Sequence, residues 1–160
     1  MKRIRLSESG GWAAGSRYAG LMILGTGIDL AEVDRIQASI ERYGERFVQR
    51  IYTPREIAYV QRKANKYERY AARFAAKEAL IKALGDSHGL AWHDMEILRD
   101  EDRAPSFARH AALARELTRL GAGRIHVSMT HDAGVATAFV VVEAAMGLSL
   151  AEATANGDEK

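Results

Sequence analysis

From residue 66 to residue 84 the chain carries strong helix formers and no glycine or proline, and Gly85 then supplies a stop. This composition predicts one long helix. One of its surfaces is almost wholly small: Ala71, Ala72, Ala75, Ala76, Ala79 and Ala83. A helix with such a face invites close approach by a neighbouring element. Glu78 lies one turn from Phe74 and one turn from Lys82, because residues at i and i+4 share a face. A carboxylate beside packed surface is costly unless it meets a cation or a metal. Two readings satisfy it: a surface Glu78–Lys82 pair worth about 0.3–0.5 kcal/mol, or service as a metal ligand.

A second carboxylate bears on that choice. Asp29 ends the run Leu21-Met22-Ile23-Leu24-Gly25-Thr26-Gly27-Ile28, which has the composition of a buried strand. Glycines at 25 and 27 point to backbone that another element approaches closely. A carboxylate at a strand end and another on a packed helix suit a hard cation such as Mg²⁺. That ion takes one or two protein carboxylates, keeps waters, and draws further ligands from substrate phosphates. Mn²⁺ accepts the same oxygen donors. Glu32 and Asp34 are rival ligands by proximity, but both are expected on the following helix, where a solvated face accounts for them.

Composition excludes several classes. The chain has no cysteine, so disulfide scaffolds, thiolate zinc sites and cysteine nucleophiles are out, and a cytoplasmic setting is expected. No apolar run approaches the ~20 residues of a membrane span. A formal charge of only +2, with aromatic residues at 8% and not interleaved with basic ones, argues against a nucleic-acid binder. The positive charge is local instead: Arg35, Arg42, Arg46 and Arg50 follow one another along the first helical stretch. Such a stripe is a solvated face or a landing place for an acidic protein.

The rest of the chain reads as α+β, a mainly antiparallel sheet packed against the long central helix. Residues 1–21 are polar, Gly-rich and without a signal-peptide core, and are expected to be a disordered extension. Helices are expected over 32–43, with a short continuation after Gly44, from Thr53-Pro54-Arg55-Glu56 to about 63, and over 109–120. The second of these opens on a capping box with proline at the first position. Strands are expected over 92–98, 124–130 and 134–143, the last two joined by a hairpin at His131-Asp132-Ala133-Gly134. A turn falls at 100–103, and residues 144–160 form a loose tail. The single domain therefore occupies 22–143.

Three segments together resemble the holo-acyl-carrier-protein synthases, the short class of 4′-phosphopantetheinyl transferases. They are Gly25-Thr26-Gly27-Ile28-Asp29-Leu30 ahead of Glu32-Val33-Asp34-Arg35-Ile36, Arg73-Phe74-Ala75-Ala76-Lys77-Glu78-Ala79 with Lys82-Ala83, and His126-Val127-Ser128-Met129-Thr130-His131. Phe47, Tyr52-Thr53 and Trp92–Ile97 fit as well. Each motif alone is weak; their order and spacing are specific. Two departures stand out: the 85–91 loop is shorter than usual, and Arg103-Ala104-Pro105 replaces a Gly-x-Pro turn.

The resemblance implies transfer of the 4′-phosphopantetheine arm of coenzyme A to a serine of an apo acyl carrier protein, with adenosine 3′,5′-bisphosphate released. It implies Mg²⁺ on Asp29 and Glu78, and homotrimers with active sites between subunits. Arg73, Lys77 and Lys82 are the nearest basic residues for coenzyme phosphates, and Ser128, Thr130 and His131 form a further coenzyme-binding corner. Glu78 and Lys82 are the expected catalytic residues, with Glu78 the candidate base. Arg35 and Arg42 match the family's carrier-binding positions, and Arg46 matches more loosely. A non-catalytic carrier-binding module is the rival reading; it would keep the arginines and need neither carboxylate. A dinucleotide-binding enzyme fails for want of the third glycine and the following βαβ unit.

Overall fold

The computed structural model describes residues 22–87, 89–99 and 104–145. The expected extension over 1–21, the turn over 100–103, His88 and all but the first two residues of the expected tail lie outside the described residues. Strand β1 runs Ile23–Glu32 and leads into helix α1 (Val33–Tyr43), α2 (Glu45–Ile51), α3 (Pro54–Gln61) and the long α4 (Lys66–Leu84). A 3-10 turn (Trp92–Met95), the short strands β2 (Ile97–Leu98) and β3 (Ser106–Phe107), helix α5 (Ala111–Arg119) and the long strands β4 (Ala122–Asp132) and β5 (Val135–Ala144) complete the order.

The main sheet has the order β1-β5-β4 and is antiparallel throughout, while β2 and β3 form a separate antiparallel pair. Alternation along the strands divides the main sheet cleanly. Gly25, Gly27, Asp29 and Ala31 of β1 stand opposite Val142, Val140, Ala138 and Ala136 of β5. Those four β5 residues are buried, and this face receives α4. The six alanines of α4's small face are buried as well. The two glycines set how close strand and helix come. A methyl group on Gly27 would collide with the Ala79 carbonyl oxygen and stand 2.8 Å from the Ala83 amide nitrogen, and one on Gly25 would collide with the Ala83 carbonyl oxygen. The other face of the sheet carries Ile28 and Leu30, 61% and 60% exposed, with Phe139 opposite Ile28.

Several expectations change. Asp29 is not at a strand end: β1 continues three residues further, and Glu32 closes the strand instead of lying on α1. The break at Gly44 forms as expected, with φ 60°, and separates α1 from the short continuation α2. Arg35 and Arg42 thus sit on α1, Arg46 and Arg50 on α2. Residues 92–98 are a 3-10 turn followed by a two-residue strand, since Phe74 stacks on Trp92 at 5.4 Å between ring centroids and draws that segment onto α4. The hairpin tightens to a two-residue turn, Ala133-Gly134, with φ 48° and 78°. Positive φ at both positions matches the twist of the flanking strands. Gly134 also accepts a hydrogen bond from the Val33 amide at 2.8 Å, which supplies a partner that Glu32 does not give α1 from its side chain. Ala144, expected in the tail, ends β5.

The capping box before α3 forms as expected. Thr53 Oγ1 accepts from the Glu56 amide at 3.3 Å, and Glu56 Oε2 accepts from the Thr53 amide at 2.9 Å. Glu56 does more than cap. It is buried, and its Oε2 also receives Lys77 Nζ at 2.8 Å, while its Oε1 accepts from the Ile97 amide at 3.1 Å.

Candidate active site

The tight β1–α4 packing brings Asp29 of β1 to Glu78 and Lys82 of α4. Asp29 projects from β1 toward α4, and Lys82 Nζ meets its Oδ1 at 2.7 Å while also donating to the Ile28 carbonyl at 3.1 Å. Glu78, one turn before Lys82, lines the same cleft as Asp29. That cleft holds about 330 Å³ and also meets Arg35, Ile36, Ser39, Phe47 and Phe74. Burial pushes the Glu78 carboxyl above its ordinary range, the nearby Asp29 pushes it further, and Lys82 opposes both. Two carboxylates that repel one another, with one lysine bonded to Asp29, form a site short of positive charge.

A second basic cleft lies further along α4. It holds about 210 Å³ between Arg69, Ala72, Arg73, Arg99, Met129, Thr130 and His131. Arg73 is 2% exposed, its guanidinium stands 4.5 Å from the Tyr59 ring centroid, and its Nε has no hydrogen-bond partner. Burial pushes its pKa down, partly offset by Glu56. A buried guanidinium with an orphaned N–H beside further arginines suits an anion.

The expected coenzyme set therefore divides. Arg73, Thr130 and His131 share the second cleft, while Lys82 lines neither and is tied to the first only through its bond to Asp29. Ser128 stands opposite Phe139, on the face of the sheet turned away from α4, and lines neither cleft. Lys77 is wholly buried and donates to Glu56 Oε2, to the Ile51 carbonyl at 2.8 Å and to the Trp92 carbonyl at 2.9 Å. All three of its protons are engaged, so it is a structural cation here and not a phosphate ligand. Of the rival carboxylates, Glu32 lines the first cleft and Asp34 does not; Asp34 occupies the exposed first turn of α1. Among the described residues no group of three or more His, Cys, Asp or Glu side chains is placed to hold a metal.

Residues 25–139 match the family model of the 4′-phosphopantetheinyl transferase superfamily. The chain belongs to that superfamily. A holo-acyl-carrier-protein synthase of Solibacter usitatus is 56% identical over 124 residues, which cover 76% of this chain and 99% of the relative. Among solved structures, the holo-acyl-carrier-protein synthase of Neisseria meningitidis superposes with a TM-score of 0.70 at 33% identity, over 76% of this chain and 99% of that one. The synthase of Helicobacter pylori, solved in complex with coenzyme A, gives a TM-score of 0.64 at 31% identity, over 73% and 98%. The transferase fold expected from the sequence is thus shown.

Within this transferase the sequence reading missed Arg69 and Arg99. Arg69 was within reach, since it precedes Arg73 by one helical turn. Arg99 follows β2 and has no local pattern that marks it. Phe47 and Phe74 sit in matched segments, but only the packing of α1, α2 and α4 shows that they wall the carboxylate cleft.

Proposed function

We propose that this chain is a holo-acyl-carrier-protein synthase, which transfers the 4′-phosphopantetheine group of coenzyme A to a serine of an apo acyl carrier protein in fatty acid biosynthesis. The observation that carries the reading is the meeting of Asp29 and Glu78 at one cleft, with Lys82 bonded to Asp29, in a chain 56% identical to a named synthase. The serine oxygen forms a bond to the phosphorus that bears the pantetheine. The bond from that phosphorus to the bridging oxygen breaks, and adenosine 3′,5′-bisphosphate leaves. Glu78, at the cleft, takes the serine proton, directly or through a water. Lys82 supplies positive charge to the diphosphate. The unpartnered Nε of Arg73, with Arg69, Arg99 and His131, favours a further phosphate of the coenzyme in the second cleft.

The residues fit a hard divalent cation. Asp29 and Glu78 are oxygen donors, and among the described residues no group of three acidic or histidine side chains is placed to hold a metal, which suits Mg²⁺ with its waters and substrate phosphates. Bound there, Mg²⁺ would neutralise charge on the diphosphate. Arg35 at the rim of the cleft, with Arg42 and Arg46 beyond it, offers a basic approach for an acidic carrier. The exposed Ile28, Leu30 and Phe139 on the open face of the sheet favour a homotrimer in which neighbouring copies cover that face. Among the described residues no helix is long and apolar enough to cross a membrane.

The test is intact-mass analysis of an apo acyl carrier protein incubated with this protein, coenzyme A and Mg²⁺. A gain of one phosphopantetheine mass is expected, and its loss with EDTA, Asp29→Ala or Glu78→Ala. No gain on several carriers, with the protein folded, would overturn the transferase reading in favour of a carrier-binding module.

A further inference from the structure

Lys82 already occupies the carboxylate that the proposed metal needs. Its ammonium is 2.7 Å from Asp29 Oδ1 and 3.1 Å from the Ile28 carbonyl oxygen. The two partners differ in freedom. The Lys82 side chain is 51% exposed and flexible, whereas Asp29 is 16% exposed and fixed on a central stretch of β1. A divalent cation that reaches Asp29 must therefore displace the lysine or share the carboxylate with it. Glu78, one turn away on α4, lines the same cleft without a lysine on it. An ammonium released from Asp29 stays tethered on α4 one turn from Glu78, within reach of a diphosphate held beside the two carboxylates.

We propose that Lys82 is an exchangeable stand-in for the metal: it neutralises Asp29 in the empty enzyme and passes to the coenzyme's diphosphate when the cation arrives. The inference rests on the reading that Asp29 and Glu78 hold the cation and that the diphosphate lies beside them. Lys82 then acts in opposite directions in two states. Without coenzyme it competes with the metal. With coenzyme it has a new partner, and its release costs little. Metal and coenzyme therefore bind cooperatively through one side chain, and each raises the affinity of the other by the same factor. The arrangement also keeps a repelling carboxylate pair from standing without a cation between turnovers.

The test is Mn²⁺ binding to the full chain, followed by the EPR signal of free Mn²⁺, with and without coenzyme A, for the parent protein, Lys82→Met and Lys82→Arg. Methionine keeps most of the length of the unbranched side chain and removes its charge; arginine keeps the charge. Without coenzyme, Lys82→Met is expected to bind Mn²⁺ about tenfold more tightly than the parent, and Lys82→Arg to stay within a few-fold of it. Coenzyme A should tighten Mn²⁺ binding by a factor about tenfold larger in the parent than in Lys82→Met, within the usual range of such couplings. A fixed neighbouring charge would weaken metal binding without changing that coupling. An equal coupling factor in the two proteins, or unchanged bare affinity in Lys82→Met, would overturn the proposal. An Asp29→Asn variant that binds Mn²⁺ as the parent does would overturn the metal-site reading beneath it, and circular dichroism establishes that each variant is folded.

Discussion

Replacing Lys77 by methionine separates two roles that its place in the sequence motif leaves tangled. In the structure its ammonium is fully buried and holds Glu56, the Ile51 carbonyl and the Trp92 carbonyl at 2.8–2.9 Å. Methionine fills similar volume but removes all three donors. The Glu56 carboxylate keeps its bonds from the Thr53 and Ile97 amides, yet it becomes a buried charge without a cation. Removing one partner of such a pair costs about 3–5 kcal/mol. Whole domains are stable by only about 5–15 kcal/mol, so the variant should sit near the edge of folding. Guanidinium unfolding measures this directly, as a lowered midpoint at an unchanged slope. The double variant Glu56→Gln/Lys77→Met should recover about 1–3 kcal/mol, because no unpaired charge is then left inside. Coenzyme affinity, measured where the single variant is still folded, should change little. A Lys77→Met protein within about 0.5 kcal/mol of the parent that has nevertheless lost coenzyme affinity would refute the argument and make Lys77 a phosphate ligand.

Gly27→Ala should cost about 1–3 kcal/mol by overpacking, since its methyl meets Ala79 and Ala83 backbone. Relief would part β1 from α4, so calorimetric Mn²⁺ binding should weaken as well; a neutral effect on both would refute the close-approach account. Glu78 has a carboxyl pKa raised by burial and by Asp29, so the metal-free fold is favoured while it is protonated, and that contribution is lost as pH rises through the raised value. Metal-free Glu78→Gln should therefore melt above the parent at neutral pH, with the gap closing toward pH 4.5, the group's ordinary value. Added Mg²⁺ should raise the parent's melting temperature more than the variant's; equal melting in both conditions would refute this. Arg35→Glu should raise the KM for the carrier and flatten its salt dependence while leaving the KM for coenzyme A near the parent value. Unchanged carrier affinity and salt dependence would remove Arg35 from the docking surface.

The residues that sequence reasoning placed well are those whose signals are local. The alanine face of α4, the paired glycines of β1 and the Thr53–Glu56 capping box each lie within a few turns or a short strand, and each forms as expected. Asp29 and Glu78 were legible because a charged residue inside an apolar or small-residue run calls for a partner. Lys77 was not, because its partners lie 15, 21 and 26 residues away, and nothing near it announces burial. The 92–98 segment failed for a similar reason. Its alternation suits a strand, but Trp92 is held against Phe74, and its carbonyl is claimed by Lys77. Ser128 and His131 belong to one motif yet face opposite sides of the sheet, a division that follows from their odd spacing once the strand register is known.

The turn at Ala133-Gly134 has a practical consequence for anyone who wishes to open or tag this chain. An exposed two-residue tip between strands is normally the natural place for an inserted epitope or for new termini. Here the Gly134 carbonyl holds the first amide of α1, and Arg35 stands in that same first turn. Lengthening or cutting the tip would release the entry to α1 and, on the proposed role of Arg35, disturb docking of the carrier. A display fusion at this tip is thus expected to recognise its protein substrate poorly.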